Sequence, residues 1–184
     1  MPKYVAFLRA INVGGHTVKM DYLRSLFEAL GFTNVETFIA SGNVIFASSS
    51  RNPKVLERKI EVSLRQTLGY DVATFIRSTS ELTEIAGYQP FPDAEQNGGG
   101  HALYIGFMAA SPSDAAKEKL LSLRLKMDDF HLHEREVYWL CRYTKVSDSE
   151  FSGARLEKIL EMPVTLRNST TVRKLAAKFQ NRER

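Results

Sequence analysis

Apolar and polar positions change rhythm along this chain in an order that occurs twice. Residues 3–10 alternate, yet are apolar enough throughout for a central strand. Leu23, Leu26, Phe27 and Leu30 then fall at helical spacing over residues 21–30, and Gly31 supplies the stop. Residues 35–40 and 43–47 are two β-type runs joined at Ser41-Gly42, which predicts a tight hairpin. A second helix opens at Asn52-Pro53, a capping residue followed by proline at the first helical position. Its apolar residues Leu56, Ile60, Leu64 and Leu68 come every four positions, Gly69 closes it, and residues 72–77 form a strand. The order is β-α-β-β-α-β.

The same order follows in the second half. Residues 101–108 predict a strand, and Ser111-Pro112 is expected to cap a helix running to about Leu123. Residues 129–133 and 136–142 form a hairpin around Glu134-Arg135, residues 151–160 a helix and residues 164–167 a strand. Each half matches the split βαβ pattern of ferredoxin-like folds. The fold class is therefore α+β, a tandem duplication giving two antiparallel four-stranded sheets with helices. Residues 1–88 are the first unit with a following helix, residues 101–184 the second with a C-terminal helix. Between them residues 89–100 read as a linker, with Pro90, Pro92 and the run Asn97-Gly98-Gly99-Gly100.

Residue identity supports the duplication. Tyr4-Val5-Ala6-Phe7-Leu8-Arg9-Ala10 aligns with Tyr104-Ile105-Gly106-Phe107-Met108-Ala109-Ala110 at a constant offset. Ile76-Arg77-Ser78-Thr79-Ser80 aligns with Leu166-Arg167-Asn168-Ser169-Thr170, and each enters a helix, where Leu82 and Ile85 match Val172 and Leu175. Both faces of the first sheet are apolar: Val5 and Phe7 point one way, Tyr4, Ala6 and Leu8 the other, and Phe38 and Ile45 oppose Ile39, Val44 and Phe46. An exposed face of that size is unusual, so a sister unit or a second chain, as in a homodimer, is expected to cover it.

Composition narrows the setting. The 184 residues are 43% hydrophobic and 25% charged, enough for a real core. A lone cysteine, Cys141, excludes an intramolecular disulfide and suits a reducing compartment. The leading apolar stretch stops at Arg9, too soon for a secretory signal, and residues 102–110 are too few for a membrane span. The expectation is a cytoplasmic protein with no membrane partner. Net charge is only +4, but Arg167, Arg173, Lys174, Lys178, Arg182 and Arg184 crowd the C-terminal segment against Glu183 alone. Such a run is either a solvated helix face or a surface for the nucleic-acid backbone.

Candidate chemistry lies in the loop that leaves the first strand, Arg9-Ala10-Ile11-Asn12-Val13-Gly14-Gly15-His16. Paired glycines let backbone amides approach a ligand, and such amides near a helix start can hold an anion. Arg9 adds a planar fork and Lys19 a point charge. The topology brings the Ser41-Gly42-Asn43 turn to the same end of the sheet. The second unit has Ala109-Ala110-Ser111-Pro112 at this place, so folding of a unit does not require the glycine pair. Arg77, Arg167 and Asn168, at repeated strand ends, form a secondary anion set; Ser78, Ser169 and Asn168 also suit helix caps. The spacing matches neither a Walker nor a dinucleotide fingerprint, so no cofactor is expected. Asp129, His131 and His133 lack established ligand spacing, no metal is expected, and Phe130, Leu132, Val137 and Trp139 read as core beneath them.

Several motifs together carry a resemblance: Phe7-Leu8-Arg9-Ala10-Ile11-Asn12-Val13-Gly14-Gly15, Ser41-Gly42-Asn43-Val44-Ile45-Phe46, Pro90-Phe91, and Thr165 to Asn168 with Thr171, Val172 and Leu175. On these the chain resembles the bacterial family called domain of unknown function 1697, whose members often have glycine at the place of Ala10. The resemblance implies a soluble bacterial protein and supplies no activity and no catalytic residues. The residues themselves point to binding of a phosphate-bearing or other anionic small molecule through Arg9, Asn12, Gly14, Gly15, Lys19, Ser41, Gly42 and Asn43. A small metal-free enzyme using the same pocket, and nucleic-acid binding through the basic C-terminal helix, are the alternatives.

Overall fold

In a computed structural model of the chain, residues 1–39, 42–92 and 100–180 are described. The helices form where the sequence supplies both an apolar stripe and an end signal. After β1 (Lys3–Leu8), α1 (Met20–Ala29) turns Leu23 and Phe27 inward. β2 (Thr33–Thr37) and β3 (Asn43–Ala47) follow. α2 (Pro53–Leu68) starts at Asn52, whose side chain accepts from the amides of Lys54 and Val55, and ends at Gly69 in the left-handed region. β4 (Thr74–Ser78) leads directly into α3 (Thr79–Gly87). The second set is β5 (Ala102–Phe107), α4 (Asp114–Ser122), β6 (Asp128–His133), β7 (Glu136–Cys141), α5 (Gly153–Leu160), β8 (Thr165–Asn168) and α6 (Ser169–Gln180). A short 3-10 helix, Val146–Asp148, precedes α5.

Both sheets are antiparallel, with strand orders β2-β3-β1-β4 and β6-β7-β5-β8. This is the ferredoxin-like order, made twice. The registers coincide as well. Tyr4 pairs with Phe46 and Ser78, and Tyr104 pairs with Trp139 and Asn168. Arg77 lies opposite Val5, and Arg167 opposite Ile105. Duplication therefore holds in the register around the central strands, beyond the order of elements, while the edge pair β2–β3 carries a register shift that β6–β7 lacks.

The chain divides into two compact units, Met1–Glu84 joined by the end of α6 from Phe179, and Ile85–Lys178. In the first, Tyr4, Ala6, Leu8, Phe27, Phe46 and Ile60 belong to one apolar core between sheet and helices. The opposite face, with Val5, Phe7, Ile45 and Phe75, is buried too, as two-sided apolar strands require. In the second unit Phe130, Val137, Trp139, Cys141, Leu156 and Leu160 form the corresponding core, with Leu132 packed against it. Cys141 is a buried free thiol, and burial pushes its pKa up.

Three local readings need correction. β2 ends at Thr37, short of the expected Ala40; Ala40 and Ser41, on which the expected tight turn falls, lie outside the described residues. Ile39, expected within the strand, has a φ of 59° and is 52% exposed, out of the sheet's apolar face. Just before that exit Asn43 binds Phe38 twice across the hairpin: its carbonyl accepts from the Phe38 amide, and its side-chain amide donates to the Phe38 carbonyl. In the second unit the cap of α4 is Ser113, which accepts from the Ala116 amide, and not Ser111. Pro112 lies before that cap and is not the first helical residue. No helix among the described residues is long and apolar enough to cross a membrane.

Candidate functional site

The loop from Arg9 to Lys19 is built by side chains that close it on itself. Asn12 Oδ1 accepts the Val18 amide at 2.6 Å, drawing the two ends together. Tyr70 donates its hydroxyl to the Ile11 carbonyl at 3.0 Å, and its ring stacks on His16 with centroids 3.8 Å apart. Between these anchors Gly14 and Gly15 have φ of 68° and 85°, and the His16 amide donates to the Val13 carbonyl. Positive φ at both central positions makes this a type I′ turn, which explains why two glycines stand there. A methyl group on either would meet nothing within 4 Å, so the turn faces open space.

The Gly42 turn meets this loop as the topology requires. The Gly42 carbonyl accepts the Leu8 amide at 2.8 Å. A methyl built on Gly42, whose φ is 78°, would lie 2.8 Å from Ile11 Cγ2 and 3.2 Å from Leu8 Cβ. The two loops therefore share one rim, held at Ile11, three residues before Gly14. Ala10 also lies in the left-handed region, at φ 55°, whereas its counterpart Ala110 does not. The extra bend belongs to the first copy alone.

The anticipated site residues divide by location. Arg9 is half-buried at the end of β1, and Asn12, Gly14, Gly15 and Lys19 are exposed on the loop. Lys19 occupies the N-cap position of α1, and no side chain caps that helix. Gly42 and Asn43 are buried, Asn43 through its bonds to Phe38. Ser41 lies outside the described residues. Arg77, 1% exposed, donates to the Ile76 carbonyl. Arg167 donates to Thr165 Oγ1 and the Leu166 carbonyl, and burial brings its pKa down to about 10. The structure thus brings Arg9, Asn12, Gly14, Gly15, Lys19 and Gly42 onto one rim and leaves the two buried arginines off it.

The repeated strand ends behave as caps. Ser78 Oγ accepts the Glu81 amide while Glu81 Oε2 accepts the Ser78 amide, a reciprocal capping box. Asn168 Oδ1 accepts the Thr170 amide. On α6, Val172, Leu175, Ala176 and Phe179 are buried while Arg173 and Lys174 are exposed; Arg182 and Arg184 lie outside the described residues. In β6 and β7, His131 faces Tyr138 and His133 faces Glu136 across the hairpin. His131 Nε2 is 2.8 Å from the Tyr88 hydroxyl, and Tyr88 stacks on His133. Burial lowers the His131 pKa, with the His133 charge next in effect. Among the described residues no group of three or more His, Cys, Asp or Glu is placed to hold a metal.

Sequence reasoning missed Tyr70, which holds the glycine turn from outside by stacking on His16, the residue that ends the turn. Its only sequence signal is an aromatic residue at a loop position far along the chain from the glycine pair.

A family model described as "Protein of unknown function (DUF1697)" matches residues 1–138. No curated protein matches the chain. Among solved structures it is similar to the conserved bacterial protein SP0830 from Streptococcus pneumoniae, with a TM-score of 0.75 and 23% identity. The match covers 98% of this chain and 99% of that one, and at this identity it shows a shared fold.

Proposed function

The chain belongs to the family described as protein of unknown function (DUF1697), and from that premise we propose, on its own residues, that it binds a small phosphate-bearing or otherwise anionic molecule at the rim of the first unit. One observation carries the reading: α1 begins without a side-chain cap and with a lysine in the cap position, beside an open glycine turn. Lysine is a poor cap, because it has no acceptor for the first helical amides. Those amides, the positive end of the helix dipole and the Lys19 ammonium together suit an anion. Arg9, at the other end of the same loop, offers a guanidinium fork of the kind that grips phosphate or carboxylate.

The test is thermal unfolding with inorganic phosphate, pyrophosphate and sugar phosphates at constant ionic strength. A ligand that binds only the folded state raises the midpoint by mass action. The rise is expected to shrink in Lys19→Ala and Arg9→Ala. No rise with any of these anions, or the full rise in both variants, refutes the reading. Turnover of a stabilising anion would favour the enzyme reading of the same rim over simple binding. Nucleic-acid binding through α6 has less behind it, since its exposed Arg173 and Lys174 over a buried apolar stripe are the ordinary arrangement of a surface helix. That alternative fails if neutralising Arg173, Lys174 and Lys178 leaves DNA and RNA affinity and its salt dependence unchanged.

A further inference from the structure

The second unit contains a cavity of about 420 Å³ that the duplication does not explain. Its size falls in the range of small-molecule sites, roughly 300–1,000 Å³. Tyr104, Trp139, Phe151 and Leu166 supply apolar walls, while Ser149 and Asn168 add polar groups. Ser147 and Ser152 add two more hydroxyls, and no residue lining it carries a charge.

The first unit is an internal control. By register, Tyr4 corresponds to Tyr104, Phe46 to Trp139 and Ser78 to Asn168. There Tyr4 is 4% exposed and its hydroxyl donates to the Ser50 carbonyl at 3.1 Å, which closes the equivalent place. The connection responsible is residues 48–52, between β3 and α2. In the second unit the matching connection is residues 142–152, more than twice as long, and its Val146 to Ser152 portion stands as a wall around Tyr104. The cavity is an addition to the repeated fold.

That wall is fixed to the floor. Asp128 is buried, and its Oδ1 accepts from Trp139 Nε1 and from Ser149 Oγ, each at 2.8 Å. Ser149 Oγ in turn accepts the Phe151 amide at 2.9 Å. The Tyr104 and Trp139 rings lie 5.2 Å apart between centroids, tilted by 33°. Tyr104 is the more accessible of the two. Burial raises its pKa, so its hydroxyl remains a donor at neutral pH.

We propose that this cavity binds an uncharged, flat heteroaromatic ring of nucleobase type, stacked against Tyr104 and held at its edge by the serine hydroxyls and Asn168. An aromatic wall takes a flat ring through its face. Hydroxyl and amide groups pair with ring nitrogens and exocyclic groups, and a charged ligand would find no counter-charge among the lining side chains.

Trp139 is the only tryptophan in the chain, so its emission reports on the cavity directly. Adenosine and guanosine are the probes, with ribose as the ringless control and inorganic phosphate as the anion control. Expected is a saturable change in Trp139 emission with a nucleoside and none with ribose or phosphate. Gly153→Leu, which projects bulk toward Leu166 Cδ1, 3.7 Å from a Cβ at that position, should weaken the response about tenfold or more. If Gly153→Leu loses its far-UV circular dichroism, Ser147→Tyr, at another lining position of the same connection, takes its place. No saturable response to either nucleoside overturns the proposal, as does a response to phosphate alone or one unchanged in a folded blocked variant. Because the cavity and the first-unit rim lie in different units, Lys19→Ala leaves this response intact whether or not the rim binds anions.

Discussion

Replacing Gly42 by alanine separates two costs that the structure assigns to different places. Gly15 and Gly42 have similar positive φ, 85° and 78°, but a methyl at Gly15 enters open space. At Gly42 it would stand 2.8 Å from Ile11 Cγ2, 3.2 Å from Leu8 Cβ and 3.3 Å from the Leu8 carbonyl oxygen. Holding an L-residue left-handed costs about 1–2 kcal/mol. The stiffer unfolded chain returns roughly 0.4–1 kcal/mol of that. Gly15→Ala should therefore lose about 1 kcal/mol or less. Gly42→Ala carries the same term plus crowding. Two of its three near atoms are the Leu8 Cβ and backbone oxygen, which cannot swing away, so overpacking adds about 1–3 kcal/mol. The total is about 1–4 kcal/mol, larger than the Gly15→Ala loss by the crowding alone. Urea unfolding followed by far-UV circular dichroism, with the m-value checked for constancy, measures both variants. In an Ile11→Ala background, which removes Cγ2, the Gly42→Ala penalty should fall. Equal losses at Gly15 and Gly42, or an unchanged penalty in that background, would refute the idea that the two loops press together at Ile11.

Ala10→Gly should stabilise the protein by up to about 1 kcal/mol, since relief of left-handed strain exceeds glycine's entropic cost; a lower midpoint in urea contradicts this. Asp128→Ala leaves the Trp139 N–H buried without its acceptor and should cost about 1–3 kcal/mol. It should also shift Trp139 emission in the folded protein, and unchanged emission argues against Asp128 as the floor's anchor. His131 has a pKa below its ordinary value, so the unfolded chain takes up its proton first as pH falls. Stability from this group is present above the unfolded histidine pKa and declines as pH drops toward the folded value. Unfolding midpoints at pH 7 and pH 5 should thus differ less in His131→Gln than in the parent.

The repeated topology was legible because its signals are local. Asn52 caps α2 and Gly69 ends it as their positions suggest, and the two-residue link at Glu134-Arg135 follows from alternating strands on either side. The first hairpin was harder to read. Apolar Phe38, Ile39 and Ala40 look like strand, yet β2 ends at Thr37 and Ile39 takes a left-handed backbone that no periodicity in the sequence announces. Arg77 and Arg167 share a strand end with helix-capping residues, but register with Val5 and Ile105 turns them inward, a consequence of pairing between distant strands. The glycine pair was legible as a loop signal, and its φ values identify the turn it makes. The cavity was hidden because it arises from the length of one connection, and no composition signal marks such a gap.

The first unit is assembled from two stretches of chain, since the end of α6 from Phe179 belongs with residues synthesised at the outset. On the ribosome, where the amino-terminal part emerges first, this half must wait unfinished while the other is made. A stalled or clipped product lacking Phe179 would carry a complete second half and a first half short of one buried ring, a form that quality-control proteases could tell from the finished molecule.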